Sequence, residues 1–296
     1  MRLYVVGTQG QVARSLREAA AVNPDIVISC DGRPNLDVLR PDLVEKALRA
    51  SSPDVVINPA AYTAVDRAEI EPELAFAVNC EGAGNVAAAA AMLGIPIIHL
   101  STDYVFDGMK KGRYVETDAV APRSVYGRSK LAGEYAVAAA NDRHVILRTS
   151  WVYAPFGSNF VRTILRLSAE RDRLTVVDDQ IGCPTFAPDI AAAILTVARK
   201  IKCSGWEREF AGITHLAGLD EITWCDFARL IMNVRKKQGR RSVGVDAIST
   251  AAYPTAAARP ANSRLCCDRL AAVFDVHMPP LALSLENCLE RLLETP

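Results

Sequence analysis

Short apolar runs alternate with longer helix-like stretches through the first half of this 296-residue chain, and this alternation restricts its fold most strongly. The short runs are rich in Val and Ile, as strands are, and the stretches between them have helical spacing. Strands that alternate with helices imply right-handed crossovers and a parallel sheet covered on both faces. The predicted strands are 2–6, 25–29, 55–58, 97–100 and 145–148, and the predicted helices are 11–21, 41–50, 72–93 and 125–140.

Beyond residue 148 the pattern changes, because Pro and Gly become more frequent between the helical stretches 159–171, 188–200, 224–235 and 281–293. The segment 253–260 is predicted to be an irregular loop. We therefore expect an α/β protein with a Rossmann-type doubly wound parallel sheet in residues 1–150. A smaller, mixed substrate domain should occupy mainly residues 151–296, with the helix 188–200 returning to pack on the first domain.

The composition is that of an ordinary globular protein, with 50% hydrophobic residues and a formal net charge of zero. It gives no broad electrostatic reason to expect nucleic acid or an anionic membrane as a partner. Met1 leads directly into a strand-like run, and the longest apolar stretch, 86–100, is broken by Gly94 and Pro96. We expect a cytoplasmic protein that binds neither nucleic acid nor membrane.

Cysteine and histidine spacing gives no sign of a metal site. The eight cysteines contain no Cys-x-x-Cys pair, and the adjacent Cys266 and Cys267 suit neither a zinc site nor an ordinary disulfide framework. We interpret the cysteines as reduced thiols. The four histidines lack metal-ligand spacing and are interpreted as structural: His99, His144, His215 and His277.

A glycine turn follows the first predicted strand and opens the first predicted helix. Gly7 permits a tight turn, Gly10 lets the backbone approach a pyrophosphate, and the small Ala13 allows close packing of helix on strand. The helix N-terminus offers free N–H groups and the positive end of its dipole to phosphates. The turn therefore predicts a dinucleotide cofactor.

The end of the second strand bears on the choice of that cofactor. Asp31 suits the ribose hydroxyl of NAD, whereas Arg33 suits the 2′-phosphate of NADP. Both residues are present, so these positions do not decide between the two. Asp37 is a further candidate for the adenine side of the cofactor.

Thr102, Tyr126 and Lys130 form the predicted catalytic group. Thr102 follows an apolar strand, and the carboxyl ends of parallel strands are where such sheets bind ligands. Tyr126 and Lys130 are four residues apart at the start of a helix, which puts them on one face. Carbonyl reduction needs a proton donor. We expect Lys130 to lower the pKa of Tyr126, and Thr102 to polarise the carbonyl oxygen.

Seven segments together resemble the extended short-chain dehydrogenase/reductase family, and they run in order along nearly the whole chain. The likeness is closest to the branch that reduces the 4-keto group of dTDP-4-dehydro-L-rhamnose to form dTDP-L-rhamnose. The cofactor that it implies is NADPH, with NADH as the alternative. The segments are 7–12, 58–69, 101–108, 126–134, 148–153, 179–185 and 259–263.

The resemblance also implies roles for individual residues. For the cofactor these are Gly7, Gly10, Gln11, Val12, Ala60, Ala61, Tyr62, Thr63, Tyr126 and Lys130, with Lys130 on the nicotinamide ribose. For the nucleotide-sugar substrate they are Val65, Thr102, Asp103, Tyr126, Trp151, Asn159, Arg259 and Asn262. A core position for Trp151 and a solvated surface position for Arg259 remain the alternatives.

The chain departs from the family pattern at some positions. Ala13 replaces a third glycine, and Pro59 follows Asn58 where alanine is commoner. Some family members join subunits through glutamates and magnesium, but the matching positions here are Ser15, Pro188 and Arg291, which are poor ligands for that ion. We therefore expect no bound metal and a monomer or weak homodimer.

Two other functions suit the same scaffold. One is a reductase or epimerase for a different nucleotide sugar, which would use the same catalytic pair, although the segment 259–263 favours rhamnose. The other is a regulatory subunit that acts only by binding. Intact Thr102, Tyr126 and Lys130 argue against that second alternative, because a pure binder does not need them.

Overall fold

The computed structural model describes residues 1–294, and strands and helices alternate from its first residues. The strands are β1 Arg2–Val6, β2 Val27–Asp31, β3 Val55–Asn58, β4 Ile97–Thr102, β5 His144–Thr149, β6 Val152–Tyr153, β7 Arg173–Val177, β8 Ile181–Gly182, β9 Thr185–Phe186, β10 Gly212–His215, β11 Ile222–Thr223, β12 Gly244–Ile248 and β13 Asn262–Ser263. The α-helices are α1 Gln11–Ala21, α2 Pro41–Ser51, α3 Val65–Ala68, α4 Pro72–Phe76, α5 Ala83–Met92, α6 Val125–Ala140, α7 Phe160–Glu170, α8 Ala187–Ser204, α9 Trp224–Lys237, α10 Asp268–Phe274 and α11 Leu281–Glu294.

Six parallel strands form the main sheet, in the order β10-β5-β4-β3-β1-β2. The chain runs outward from β1 in one direction to β2 and in the other to β3, β4 and β5. This reversal is the topological switch point of a doubly wound sheet, and ligands bind in the crevice at the carboxyl ends of strands there. The predicted α/β class is confirmed.

The strands of this sheet supply side chains alternately to two hydrophobic cores. On β1, Leu3 and Val5 belong to the core that includes α1 and α8, whereas Tyr4 and Val6 belong to the core that includes α2, α5 and α6. Helices thus cover both faces, which explains why the strands are apolar without interruption.

A further core lies among α7, α9, α11 and β7, where Ile164, Leu174, Phe227 and Leu285 are buried together. The C-terminal half therefore contributes to two cores, since α8 packs against α1 beside the main sheet. A division of the chain near residue 150 stays a prediction.

Several predicted bounds differ from the structure, and two of the differences have a clear physical cause. β2 begins at Val27 instead of residue 25, because Val27 is the residue that pairs with Arg2 of β1. The helix predicted over 72–93 is divided by a π-helical turn, Ala77–Gly82, between α4 and α5. Such turns are rare and are frequent at functional sites, and this one places Asn79 in the interior.

Candidate active site

The glycine turn between β1 and α1 leaves its backbone open. Gly7 has a φ of +103°, which L side chains rarely adopt, and its N–H donates to the Asp31 carbonyl at 2.6 Å. A Cβ atom added at Gly7 or Gly10 would meet nothing within 4 Å, so there is room beside both residues. α1 begins directly after Gly10. An open glycine backbone at a helix N-terminus fits the pyrophosphate of a dinucleotide.

Gln11 and Val12 are the first residues of α1, and their side chains contact other residues of the protein. Val12 is buried in the core, so only its backbone can serve a phosphate. The side-chain oxygen of Gln11 accepts from Asn159 Nδ2 at 2.9 Å. The side-chain oxygen of Asn159 accepts from Arg162 N at 3.2 Å, so Asn159 is also the N-cap of α7. Asn159 thus links the glycine turn to α7, and its contact with a nucleotide sugar stays a prediction.

The acidic and basic candidates for the adenosine end lie after β2. The Asp31 carboxylate accepts from the Tyr4 hydroxyl at 3.0 Å, while the Arg33 side chain is exposed. The Asp37 carboxylate accepts from Leu39 N at 3.0 Å and closes a local turn. Asp31 and Arg33 therefore remain alternatives, the first for the ribose of NAD and the second for the 2′-phosphate of NADP.

Asn79 fixes the loop after β3, where Ala60, Ala61, Tyr62 and Thr63 were predicted to line the cofactor. Its Oδ1 accepts from Tyr62 N at 2.7 Å, and its Nδ2 donates to Tyr62 O at 3.1 Å and to Ser129 Oγ of α6 at 2.9 Å. Asn79 is only 1% exposed. The sequence analysis missed it, because nothing local marks one asparagine in a helical stretch as a contact between a loop and a distant helix.

Ser124 determines where α6 begins, since its hydroxyl accepts from Gly127 N at 3.1 Å as the helix N-cap. A side chain at Gly127 would overlap the Tyr104 carbonyl, so glycine lets the helix start approach the turn after β4. Tyr126 and Lys130 then lie one helical turn apart on α6, as predicted from their spacing.

Thr102, Tyr126 and Lys130 are brought together at the carboxyl end of β4. The Thr102 hydroxyl donates to Asp103 Oδ1 at 3.0 Å and lies close enough to the Tyr126 hydroxyl to lower the pKa of that tyrosine. The Lys130 ammonium donates to the Leu100 carbonyl at 2.7 Å and lies 3.4 Å from His99 Nε2. Lys130 is 2% exposed. Thr102 and Lys130 are thus buried and Tyr126 is half-buried at this edge of the sheet.

The pKa of Tyr126 moves opposite to our expectation. Burial raises it to about 12, the Thr102 hydrogen bond lowers it, and the Asp103 carboxylate raises it. The expectation of a lowered value was wrong, because burial penalises the charged phenolate and sequence alone does not reveal burial. Burial also lowers the pKa of Lys130 to about 8, against the opposing effect of the Glu134 carboxylate. Tyr126 therefore holds its proton at neutral pH.

Asp103 lies beside this group and is also buried. Burial raises its pKa from 3.8 to about 6, although hydrogen bonds with Ser263 and Thr102 favour the carboxylate. Its Oδ1 accepts from Thr102 Oγ1 at 3.0 Å, and among the described residues its Oδ2 has no partner. A buried oxygen without a partner is a candidate contact for a ligand.

A buried polar cluster supports α6 from the sheet. Glu134 accepts from Ser101 Oγ at 2.6 Å and from two guanidinium nitrogens of Arg148 at 2.8 and 2.7 Å. Sequence analysis did not identify this pair. Glu134 follows Lys130 by four residues, so the sequence predicts that the two share a helix face. It does not predict that Arg148 on β5 is the partner of Glu134.

Trp151 follows β5, and its indole is held between other groups. Its φ of +48° is rare for a residue other than glycine. It stacks on Trp224 with ring centroids 3.4 Å apart and 7° between the planes. A side chain at Gly182 would overlap the indole. Trp224, which the sequence analysis missed, is therefore part of the Trp151 environment.

Arg259 reaches back to the segment after β3. Its Nη2 donates to Asp66 Oδ2 at 2.6 Å, and its side chain is 21% exposed, so it is not a freely solvated arginine. Asp66 follows Val65, the half-buried first residue of α3. Asn262 instead donates to the carbonyls of Lys110 and Gly112 at 2.7 and 2.8 Å. Its contact with substrate stays a prediction.

The positions matched to a magnesium bridge carry other interactions. Ser15 donates to the Gln11 carbonyl at 2.8 Å, and Arg291 donates to Glu18 at 2.6 Å. Residues 1–294 contain no group of three or more His, Cys, Asp or Glu side chains placed to hold a metal ion. Over the same range, no helix combines the length and the apolar character needed to cross a membrane.

A doubly wound sheet with an open glycine turn and a Thr–Tyr–Lys group at its carboxyl edge defines the extended short-chain dehydrogenase/reductase class. The family model described as the RmlD substrate binding domain matches residues 1–294. A dTDP-4-dehydrorhamnose reductase of Sinorhizobium fredii is 51% identical over 279 residues, covering 94% of this chain and 93% of that protein. The chain belongs to the dTDP-4-dehydrorhamnose reductase family of NAD(P)-dependent oxidoreductases.

Solved structures show the same relationship. The dTDP-4-dehydrorhamnose reductase of Clostridium acetobutylicum has a TM-score of 0.91 and 34% identity, covering 99% of this chain and 100% of that chain. The Bacillus anthracis enzyme, solved in complex with NADP, has a TM-score of 0.89 and 34% identity, covering 98% of this chain and 99% of that chain.

Proposed function

We propose that this protein reduces the 4-keto group of dTDP-4-dehydro-L-rhamnose with NADPH, forming dTDP-L-rhamnose. The observation that carries the proposal is the grouping of Thr102, Tyr126 and Lys130 at the carboxyl edge of the sheet, in a chain of this family. We place the nucleotide sugar mainly against residues 151–296.

The residues around the glycine turn would hold the cofactor. The backbone at Gly7, Gly10 and the start of α1 would take the pyrophosphate, and the Asn79-supported loop 60–63 would line the dinucleotide. Exposed Arg33 supports NADPH, since a guanidinium suits a 2′-phosphate. NADH is the alternative, because Asp31 lies beside it.

The protein supplies the proton of the reaction. When bound, NADPH supplies a hydride to the carbonyl carbon. Tyr126 keeps its proton at neutral pH, so its O–H bond can break as the carbonyl oxygen becomes a hydroxyl. Thr102 donates to the same oxygen and stabilises its developing charge. Lys130, one turn further along α6, would stabilise the phenolate that remains if its ammonium turned from the Leu100 carbonyl toward it.

Absorbance at the nicotinamide band tests the proposal directly. Purified protein is mixed with NADPH or NADH and with dTDP-4-dehydro-L-rhamnose generated in situ. We expect rapid oxidation of NADPH, loss of turnover in Tyr126→Phe, and unchanged NADPH binding by that variant. Tyr135→Phe on the same helix is the matched control, because Tyr135 is 62% exposed.

Other outcomes distinguish the competing functions. A protein that binds NADPH but oxidises neither cofactor with this substrate contradicts the rhamnose assignment. Turnover of another nucleotide sugar, lost in Tyr126→Phe, would then identify a different reductase. A cellular function that survives Tyr126→Phe would instead identify a regulatory subunit.

We further propose a cytoplasmic protein that is a monomer or a weak homodimer without magnesium. The support is the chemistry of Ser15, Pro188 and Arg291, which replace carboxylates at the positions of the magnesium bridge. Light scattering over a range of protein concentrations, with and without MgCl₂, tests this. A tight dimer that dissociates on chelation contradicts it.

A further inference from the structure

One carboxylate holds two points of the C-terminal segment 257–262. Asp66 Oδ1 accepts from the backbone N–H of Ala257 at 3.0 Å, and Asp66 Oδ2 accepts from Arg259 Nη2 at 2.6 Å. Ala257 is 1% exposed. The loop that joins β12 to β13 is thereby attached to α3, which follows the predicted cofactor loop.

The same segment lies against the catalytic edge of the sheet. Pro260 packs so closely on Gly108 that any side chain at Gly108 would meet its Cα at 2.7 Å. Ser263 hydrogen-bonds to the buried Asp103. The Tyr104 ring contacts Tyr126 edge-on, with centroids 5.4 Å apart. The segment and the adjoining Ser263 therefore lie against Asp103, Tyr104 and Gly108, which follow β4 beside the catalytic group.

Arg259 has donor capacity that the described protein does not use. Its Nη1 is buried without a hydrogen-bond partner among residues 1–294, while Nη2 is held by Asp66. The Arg259 cation also opposes the burial that raises the pKa of Tyr104, so the guanidinium lies close to the tyrosine pair. A buried N–H without a partner is costly unless a ligand accepts from it.

Three other cations in the neighbouring segments are paired with carboxylates. Arg67 pairs with Glu71 at 2.6 Å, Lys110 with Asp118 at 2.5 Å and Arg264 with Glu221 at 2.8 Å. Arg259 also pairs with a carboxylate, that of Asp66, but Asp66 accepts a hydrogen bond only from Nη2 and leaves Nη1 without an acceptor in the described part of the chain. Planar guanidinium groups bind phosphate oxygens through two parallel N–H groups, so the remaining edge suits a phosphate.

We propose that Asp66 is a positioning residue, which holds Arg259 so that its remaining donors bind the diphosphate of the nucleotide-sugar substrate. The inference rests on the proposed function, because it takes the substrate to be a nucleoside diphosphate sugar. Asp66 acts through Arg259 and does not touch the reacting atoms. The cofactor, at the glycine turn, does not depend on this pair.

Steady-state kinetics and binding of dTDP by calorimetry test the proposal together. Arg259→Gln should raise the KM for the nucleotide sugar and the Kd for dTDP by roughly ten- to hundred-fold. Asp66→Asn keeps an acceptor for Ala257 N but removes the charge, and it should raise both by roughly ten-fold. In both variants, kcat and the KM for NADPH should stay within about two-fold. Asp66→Asn should add little to Arg259→Gln, because the two residues act as a unit.

Asp246→Asn is the matched control, since it breaks the exposed ion pair with Arg173 on another surface. It should leave all of these constants unchanged. Asp66 would be only a structural residue if Asp66→Asn raised the KM for the nucleotide sugar and the KM for NADPH equally. The same conclusion would follow if the KM for the nucleotide sugar did not change. If the wild type bound dTDP but reduced none of the sugar, the proposed function would fail. Calorimetric binding of dTDP would then test the role of Arg259 by itself. A Kd for dTDP that Arg259→Gln leaves unchanged would overturn the inference.

Discussion

The Glu134 carboxylate receives two N–H groups of the Arg148 guanidinium, and both side chains are almost completely buried, at 2% and 1% exposure. Glu134 belongs to the catalytic helix α6, and Arg148 belongs to β5, the strand beside β4. The pair therefore fixes the helix that carries Tyr126 and Lys130 to the sheet that carries Thr102.

Removing one partner of this pair should destabilise the protein strongly. Glu134→Gln leaves the Arg148 cation buried without its counter-charge, and we expect the free energy of unfolding to fall by ~3–5 kcal/mol. Urea unfolding followed by circular dichroism measures this. Asp246→Asn, which breaks an exposed pair, should have little effect. Equal stabilities for the two variants would show that the buried pair contributes nothing.

Asp103 should give the protein a distinctive dependence on pH. Its pKa is raised from 3.8 to about 6, so between these values the folded protein binds its proton more tightly than the unfolded chain does. Stability from this group is therefore lost as pH rises through that window. Asp103→Asn should gain stability relative to the wild type from about pH 4 to about pH 6, and the difference should be constant above.

Denaturant unfolding at several pH values measures this difference, and Asp107→Asn provides a control of opposite sign. Hydrogen bonds from Met109 N and Tyr114 hold the pKa of Asp107 below its ordinary value. Its contribution is therefore present at neutral pH and lost as pH falls. A flat difference for Asp103→Asn between pH 4 and 6 would contradict the raised pKa.

Gly182→Ala should disturb the indole stack, because its Cβ would overlap Trp151. Overpacking of this kind costs ~1–3 kcal/mol. We expect a changed near-ultraviolet circular dichroism signal from Trp151 and Trp224, together with a higher KM for the nucleotide sugar. Gly112→Ala is the control, since a Cβ there would meet nothing within 4 Å. An unchanged KM alongside a changed spectrum would leave Trp151 with a purely structural role.

Asn79→Leu should weaken cofactor binding more than catalysis. It removes both hydrogen bonds to Tyr62 and the one to Ser129, so the loop after β3 loses its anchor. We expect a several-fold higher Kd for NADPH by fluorescence titration and an unfolding free energy lower by ~1–3 kcal/mol. Asn23→Ala, which loses a hydrogen bond to Ala19 and one from Arg199 at the end of α1, is the comparison. If both variants bound NADPH as the wild type does, the loop would not need Asn79.

The parts of the fold that depend on neighbouring residues could be predicted from the sequence. α1 and α6 have the predicted bounds, because their starts are marked locally by Gly10 and Ser124 and their faces by helical spacing. The Tyr126–Lys130 pair followed from spacing for the same reason.

The contacts that support the site could not be predicted from the sequence, because they join residues that are far apart along the chain. Asn79 meets Ser129 at a separation of 50 residues, and Trp151 stacks on Trp224, which lies 73 residues further along the chain. The pKa of Tyr126 was predicted in the wrong direction because its sign depends on burial, a property of the assembled fold.

The attachment of Asp66 to Ala257 and Arg259, 191 and 193 residues further along the chain, has a consequence for biosynthesis. During translation, the glycine turn and the catalytic helix leave the ribosome long before the segment that closes their edge. The N-terminal residues must wait with that edge open until synthesis has passed residue 259. A product terminated before residue 257 would thus lack both contacts of Asp66, so it would hold the catalytic helix without the proposed substrate-binding arginine.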